Sequence, residues 1–161
     1  MADRLKDLEA RVAALEEAAR ATPEASTAAE GTFWALETLE QRSPDAVMVV
    51  GSVQVPDAGP TRWQYALPLE TIVDRDWGSA AGVLDALANP VRLSLLKLIF
   101  DGVRSTAELA GQEGLGTTGQ LHHHLRALIA GGWLHSTSRG HYEIPADRVV
   151  PLLAILTATT S

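Results

Sequence analysis

The chain has no cysteine, which removes disulfides, thiolate metal sites and a cysteine nucleophile together. No apolar run approaches the roughly 18 residues that a membrane span requires, so an integral membrane protein is not expected. The opening residues Met1-Ala2-Asp3-Arg4-Leu5-Lys6-Asp7 lack a basic segment followed by an apolar stretch. They do not read as a secretory leader, and the expected location is cytoplasmic. There is no nucleophile elbow and no ligand-spaced cluster of metal-binding side chains. The scattered glycines of Gly111-Gln112-Glu113-Gly114-Leu115-Gly116 do not follow a strand, so they are no dinucleotide loop. Neither an enzyme nor a cofactor is expected.

Positive charge is also scarce. The formal net charge over 161 residues is −7. Residues 1–77 hold 14 Asp/Glu against 7 Lys/Arg, whereas residues 78–161 hold six of each and all five histidines. The acidity therefore belongs to the N-terminal half. The C-terminal half is neutral and can meet phosphates locally, without the broad basic field of strong DNA binders.

What is present is hydrophobic pattern, broken by caps and turns. Over residues 3–21, Leu5, Leu8, Val12 and Leu15 recur at alternating spacings of three and four, a coiled-coil-like stripe. Asp7 with Arg11 and Glu16 with Arg20 are i,i+4 pairs in the favourable orientation. A lone helix of this length is marginal in water, so the stripe either pairs with its twin in a homodimer or folds back on its own domain. Pro23 and a small polar stretch break it. A short helix over Phe33–Arg42 follows. Ala46–Val55 then reads as a strand, with Gly51 suggesting a bulge. Pro56–Pro60 reads as a turn cluster with a loop of about five or six residues, and Thr61–Leu67 as the returning strand. Two strands alone are marginal, so this hairpin must rest on helices or on a second copy. Residues 68–76 read as a linker.

From Trp77 the texture becomes helical. Helices are expected over Ser79–Leu87, over Pro90–Phe100 with Pro at its first position, and over a short segment opened by the capping box Ser105-Thr106-Ala107-Glu108. Gly111–Gly116 turns the chain into a helix that Thr117 or Thr118 caps and Gly131-Gly132 ends. Two short strands, Trp133–Ser136 and His141–Ile144, flank a tip at Thr137–Gly140. A last helix runs from about Asp147 to Thr157, with Pro151 within reach of its first turn. The order is that of a winged helix-turn-helix. The expected fold class is thus α+β, mainly helical: a coiled-coil-like helix (1–22), a short helix with a β-hairpin (23–76) and a winged helix-turn-helix domain (77–161).

At about 100° per residue, Leu121, Leu125, Leu128 and Ile129 share one side of the helix over 117–130. Gly116, Gln120, His123 and Ala127 lie opposite, with Gly119 and Arg126 on the flanks. Small residues, an amide, an imidazole and a bordering arginine suit a helix that enters a major groove.

The strings Ala88-Asn89-Pro90-Val91-Arg92-Leu93-Ser94-Leu95-Leu96, Thr106–Ala110, Leu121–Leu128 and Ala130-Gly131-Gly132-Trp133-Leu134 occur in series. Over residues 78–160, roughly half of the chain, they resemble the ArsR/SmtB-type winged-helix repressors of bacteria. The resemblance implies a dimeric transcriptional regulator on a palindromic operator in double-stranded DNA, often released by an effector. Carried over by position, its DNA-reading residues fall on Thr117, Thr118, Gln120, His122 and His123, and its wing tip on Ser138-Arg139-Gly140. Two departures matter. The cysteine ligands of the family's metal sensors are absent, and Asp147–Ser161 has no histidine, so metal sensing does not fit. Residues 1–76 also lie outside the usual minimal domain.

The remaining signals divide between functional and structural readings. His122-His123-His124 lacks the i,i+4 spacing that chelation from one helix needs. Arg139 is the one charged residue of the wing tip and is expected to touch DNA. Trp34, Trp63 and Tyr65, with Trp77 nearby, either line a pocket for a small-molecule effector or form core and interface. The sequence thus favours a homodimeric, sequence-specific regulator, a repressor by its resemblance, with helix 117–130 in the major groove and wing 133–144 on the backbone. The alternative is a winged helix used for protein–protein assembly, with the acidic half as the partner-binding surface.

Overall fold

The computed structural model describes residue 11 and residues 33–160. The expected helix over 3–21 lies outside the described residues, and so do Leu5, Leu8, Val12 and Leu15. The chain divides into two units, Met1–Pro44 and Asp45–Ser161. The first contributes helix α1 (Trp34–Arg42), in which the Thr38 hydroxyl donates to the Trp34 carbonyl at 2.8 Å.

The second unit opens with an antiparallel hairpin, β1 (Ala46–Val55) and β2 (Gly59–Pro68). Its register runs unbroken from Ala46 opposite Pro68 to Val55 opposite Gly59. The loop is therefore only Pro56–Ala58, shorter than expected. Asp57 adopts φ 62° and turns the chain early enough for Gly59 to pair. Nor is there a bulge at Gly51, which sits opposite Trp63 in the ladder. Its role is close approach: a Cβ there would fall 2.5 Å from Val150 Cγ1 on the last helix. The hairpin packs on that helix, and both belong to the unit Asp45–Ser161.

Where a linker was expected, Leu69–Val73 forms a short helix, α2. The helix expected over Ser79–Leu87 begins instead with a 3₁₀ turn at Trp77–Ala80, because Asp76 Oδ1 accepts from Gly78 N at 2.9 Å and starts the turn early. It continues as α3 (Ala81–Asp85). Then comes α4 (Pro90–Phe100), with Asn89 Oδ1 accepting from Val91 N and Arg92 N at 2.9 and 3.2 Å. Helices α5 (Thr106–Ala110) and α6 (Thr118–Ala130), strands β3 (His135–Ser138) and β4 (His141–Glu143), and α7 (Ala146–Ala158) complete the order. Because α7 begins at Ala146, Pro151 lies inside it, past the first turn.

The fold is α+β: among the described residues, seven α-helices and two separate two-stranded antiparallel sheets. Leu95, Leu96 and Ile99 of α4, Leu109 of α5, and Leu121, Leu125 and Leu128 of α6 are almost fully buried. They meet around Trp133, which is 1% exposed and whose Nε1 donates to the Val83 carbonyl at 2.9 Å. Burying each large apolar side chain contributes about 1.5–3 kcal/mol, so this cluster orients α6. No helix among the described residues is long and apolar enough to cross a membrane.

Candidate functional site

The site begins at the turn before α6. Gly114 and Gly116 take φ 81° and 79°, a region that glycine adopts without strain. Thr117 then caps α6. Its Oγ1 accepts from Gln120 N at 3.4 Å, and Gln120 Oε1 accepts in return from Thr117 N at 2.8 Å. This reciprocal capping box was not anticipated, although Thr117 and Gln120 stand at the required spacing. It changes what Gln120 can offer. The carbonyl oxygen is engaged, so the free part of the exposed side chain is its amide NH₂, a donor only. Such a group suits acceptors on a groove edge, such as guanine O6 and N7 or thymine O4.

Along α6, Thr117, Thr118, Gly119, Gln120, His123 and Arg126 are exposed while Leu121, Leu125 and Leu128 face the core. One expectation fails here. Ile129 is 40% exposed rather than buried. The core stripe ends at Leu128, whose carbonyl accepts from Trp133 N at 2.9 Å, and Trp133 fills the neighbouring interior. His122 is half-buried and stands off the exposed stripe, since it is turned about 100° from His123.

His124 is half-buried, with Nδ1 sealed from solvent and lacking a hydrogen-bond partner. Burial first, then the neighbouring charges of His123 and Arg92, lower its pKa from the ordinary 6.5. The His123 and His124 rings meet edge-on at 5.5 Å. Among the described residues no group of three His, Asp or Glu side chains could hold a metal ion.

The second hairpin is shorter than the expected wing at its start. Trp133 and Leu134 belong to the core, and pairing begins at His135 opposite Glu143. The ladder is irregular between Ser136 and Ser138 and closes at Ser138 opposite His141, leaving Arg139-Gly140 as the tip, with Gly140 at φ 75°. Ser138 and Arg139 are exposed. The tip is tied to α5: Thr106 N and Thr106 Oγ1 donate to the Gly140 carbonyl at 2.8 and 3.0 Å, and Tyr142 N donates to the Arg104 carbonyl at 3.0 Å.

The start of α5 is itself fixed by its capping box. Ser105 N and Oγ donate to Glu108 Oε2 at 3.1 and 2.6 Å. The Ser105 hydroxyl, followed by its backbone N–H, holds the Glu108 carboxyl below the usual 4.5. The three ion pairs among the described residues are Arg92–Asp85, Lys97–Asp101 and Arg104–Glu143. Within that set Arg126 and Arg139 have no carboxylate partner, so both guanidinium groups can receive an anion.

Trp34 belongs to the first unit, and Trp63 and Tyr65 to the second. Trp63 and Tyr65 alternate along β2, with ring centroids 5.7 Å apart. The second unit contains a cavity of about 250 Å³, lined by residues that include Val55, Thr61, Ile99, Arg104, Glu143 and Val149. No local pattern could reveal it, because its walls come from four stretches of the chain, 55–61, 99–104, 135 and 143–149.

No family model matches the chain, and no curated protein or solved structure matches it.

Proposed function

We propose that this chain is a homodimeric, sequence-specific DNA-binding transcriptional regulator, a repressor by its resemblance to the ArsR/SmtB type, with residues 77–161 as a winged helix-turn-helix. In this reading α6 enters the major groove, the wing rests on the sugar–phosphate backbone, and the stripe Leu5, Leu8, Val12 and Leu15 joins two copies. One observation carries it. On α6 the exposed Gln120 and His123, flanked by the exposed Arg126, lie opposite the buried leucines, while the exposed Arg139 sits on a tip bonded to the first residue of α5. A rigid polar stripe supplies base contacts, and arginines without a carboxylate partner among the described residues supply phosphate contacts.

The test is a mobility shift with genomic fragments at two salt concentrations. The reading expects one fragment to outcompete bulk DNA, with affinity falling as salt rises because phosphate contacts release counterions. If no fragment outcompetes bulk DNA at low salt, the reading is wrong.

A second reading uses the same domain for protein–protein assembly. It is favoured by the exposure of Val73, Trp77 and Leu84, at 57%, 69% and 52%, in the segment preceding α4. Apolar surface of that kind marks contact sites when it is contiguous. Specific DNA binding that survives Trp77→Ser and Leu84→Ser would set this second reading aside.

A further inference from the structure

We propose that the cavity between the first hairpin and the wing binds a small carboxylate with an apolar body, and that its occupation loosens the root of the wing. The cavity measures about 250 Å³. That lies just under the range of about 300–1,000 Å³ common for ligand sites, so it admits a single aromatic ring or a medium acyl chain. Val55, Ile99, Ile144 and Val149 provide apolar wall, and Arg104 and Glu143 bring charge to it.

The state of Arg104 selects an anion. Its Nη2 donates to the Pro56 carbonyl at 3.2 Å, and its Nη1 reaches Glu143 Oε1 only at a long 3.4 Å. Its Nε is sealed from solvent with no acceptor among the described residues. A buried donor without a partner is unusual in a native fold and marks a place where a partner is missing. A ligand carboxylate has two coplanar oxygens and can engage a guanidinium in a fork through the Nε and Nη2 hydrogens, which lie side by side, and so satisfies Nε. Its charge repels the Glu143 carboxylate on the same guanidinium, and Glu143, held only at 3.4 Å with a side chain 42% exposed, can turn into water.

That displacement reaches the wing. Arg104 holds β4 twice, through its carbonyl to Tyr142 N and through its side chain to Glu143. A bound carboxylate removes the second tie. If the chain regulates DNA, such a ligand is an effector; this part rests on the proposed function, whereas the binding itself does not.

The test uses the full chain without DNA. Benzoate, octanoate and indole-3-acetate are titrated calorimetrically, with benzamide as the neutral counterpart of benzoate. At least one carboxylate should bind saturably, and benzamide about ten- to a hundredfold more weakly than benzoate. Arg104→Gln should weaken the carboxylate by a similar factor. Ala58→Trp, an exposed loop position on the rim, should block binding by filling the space and leaves the charges in place even if Arg104→Gln fails to fold. No saturable binding by any of the three acids, equal binding of benzamide, or indifference to Ala58→Trp would overturn the site. Amide hydrogen exchange at Tyr142 reads the coupling directly: it should quicken on saturation, and an unchanged rate would overturn the loosening. Neither readout involves DNA, so their failure is distinct from failure of the proposed function.

Discussion

Gly51→Ala tests the packing of the first hairpin on α7. The added Cβ would lie 2.5 Å from Val150 Cγ1 and 3.1 Å from Val150 Cγ2. Carbon atoms prefer about 3.5–4.0 Å, so the overlap is close to 1 Å. Val150 is 4% exposed. As a β-branched residue in a helix it has one dominant χ1 rotamer and cannot swing clear. Overpacking of this kind costs about 1–3 kcal/mol. Replacing glycine recovers about 0.4–1 kcal/mol through the unfolded chain, which leaves a net loss of about 1–2 kcal/mol. For a chain of this length each kcal/mol lowers Tm by about 2–4 °C.

The double variant decides the cause. Val150→Ala alone should cost about 1.5–3 kcal/mol for two buried methyl groups and the space they leave. Combined with Gly51→Ala it should cost less than the sum of the two, by about 1 kcal/mol or more. Urea unfolding of the four proteins, followed by circular dichroism, measures the cycle. A Gly51→Ala protein as stable as the parent, or a strictly additive double variant, would refute the contact.

Three further predictions concern α6 and the wing. Gln120→Ala removes half of a capping box and should cost about 0.5–1 kcal/mol in unfolding experiments, together with about 1–3 kcal/mol for the cognate DNA site. Gln120→Glu keeps the cap but sets a carboxylate against the groove, so it should keep stability and lose DNA; loss of both or neither would show that the two roles were misassigned. Arg139→Ala should weaken all DNA sequences alike and lower the salt slope by about one, whereas loss of discrimination in competition assays would place the arginine on a base. The lowered pKa of His124 makes stability pH-dependent with a definite sign. Below its ordinary 6.5 the unfolded chain takes the proton before the folded one, so this contribution is complete above 6.5 and declines as pH falls toward the folded value. His124→Gln should flatten that part of a Tm-against-pH curve; an unaltered slope would contradict the assignment.

How far the fold could be read from residues depends on how local each cause is. The bounds of α4 were legible because Asn89-Pro90 starts a helix and Asp101-Gly102 stops one through neighbouring atoms. β1 was legible from its β-branched run, and the Ser105–Glu108 box from its spacing. Features settled by distant partners were not. Gly51 reads as a bulge until Val150 is seen beside it. Trp133 reads as the start of a strand until its indole is found bonded to Val83, far away in sequence. The leucines and the exposed polar stripe of α6 followed from a helical projection, but projection could not assign the Gln120 oxygen to the cap or expose Ile129. The cavity at Arg104 was invisible for the same reason, since the two hairpins and the helices each supply a part.

The central claim is that α6 and the wing of two copies grip successive turns of duplex. Hydroxyl-radical footprinting on the fragment selected by mobility shift, with methylation interference at guanine N7, measures this directly. The account predicts two protected patches related by a dyad and centred about one helical turn, ~10 bp, apart. It also predicts interference from major-groove methyl groups inside each patch. Protection without that spacing, or binding indifferent to major-groove methylation, would contradict it.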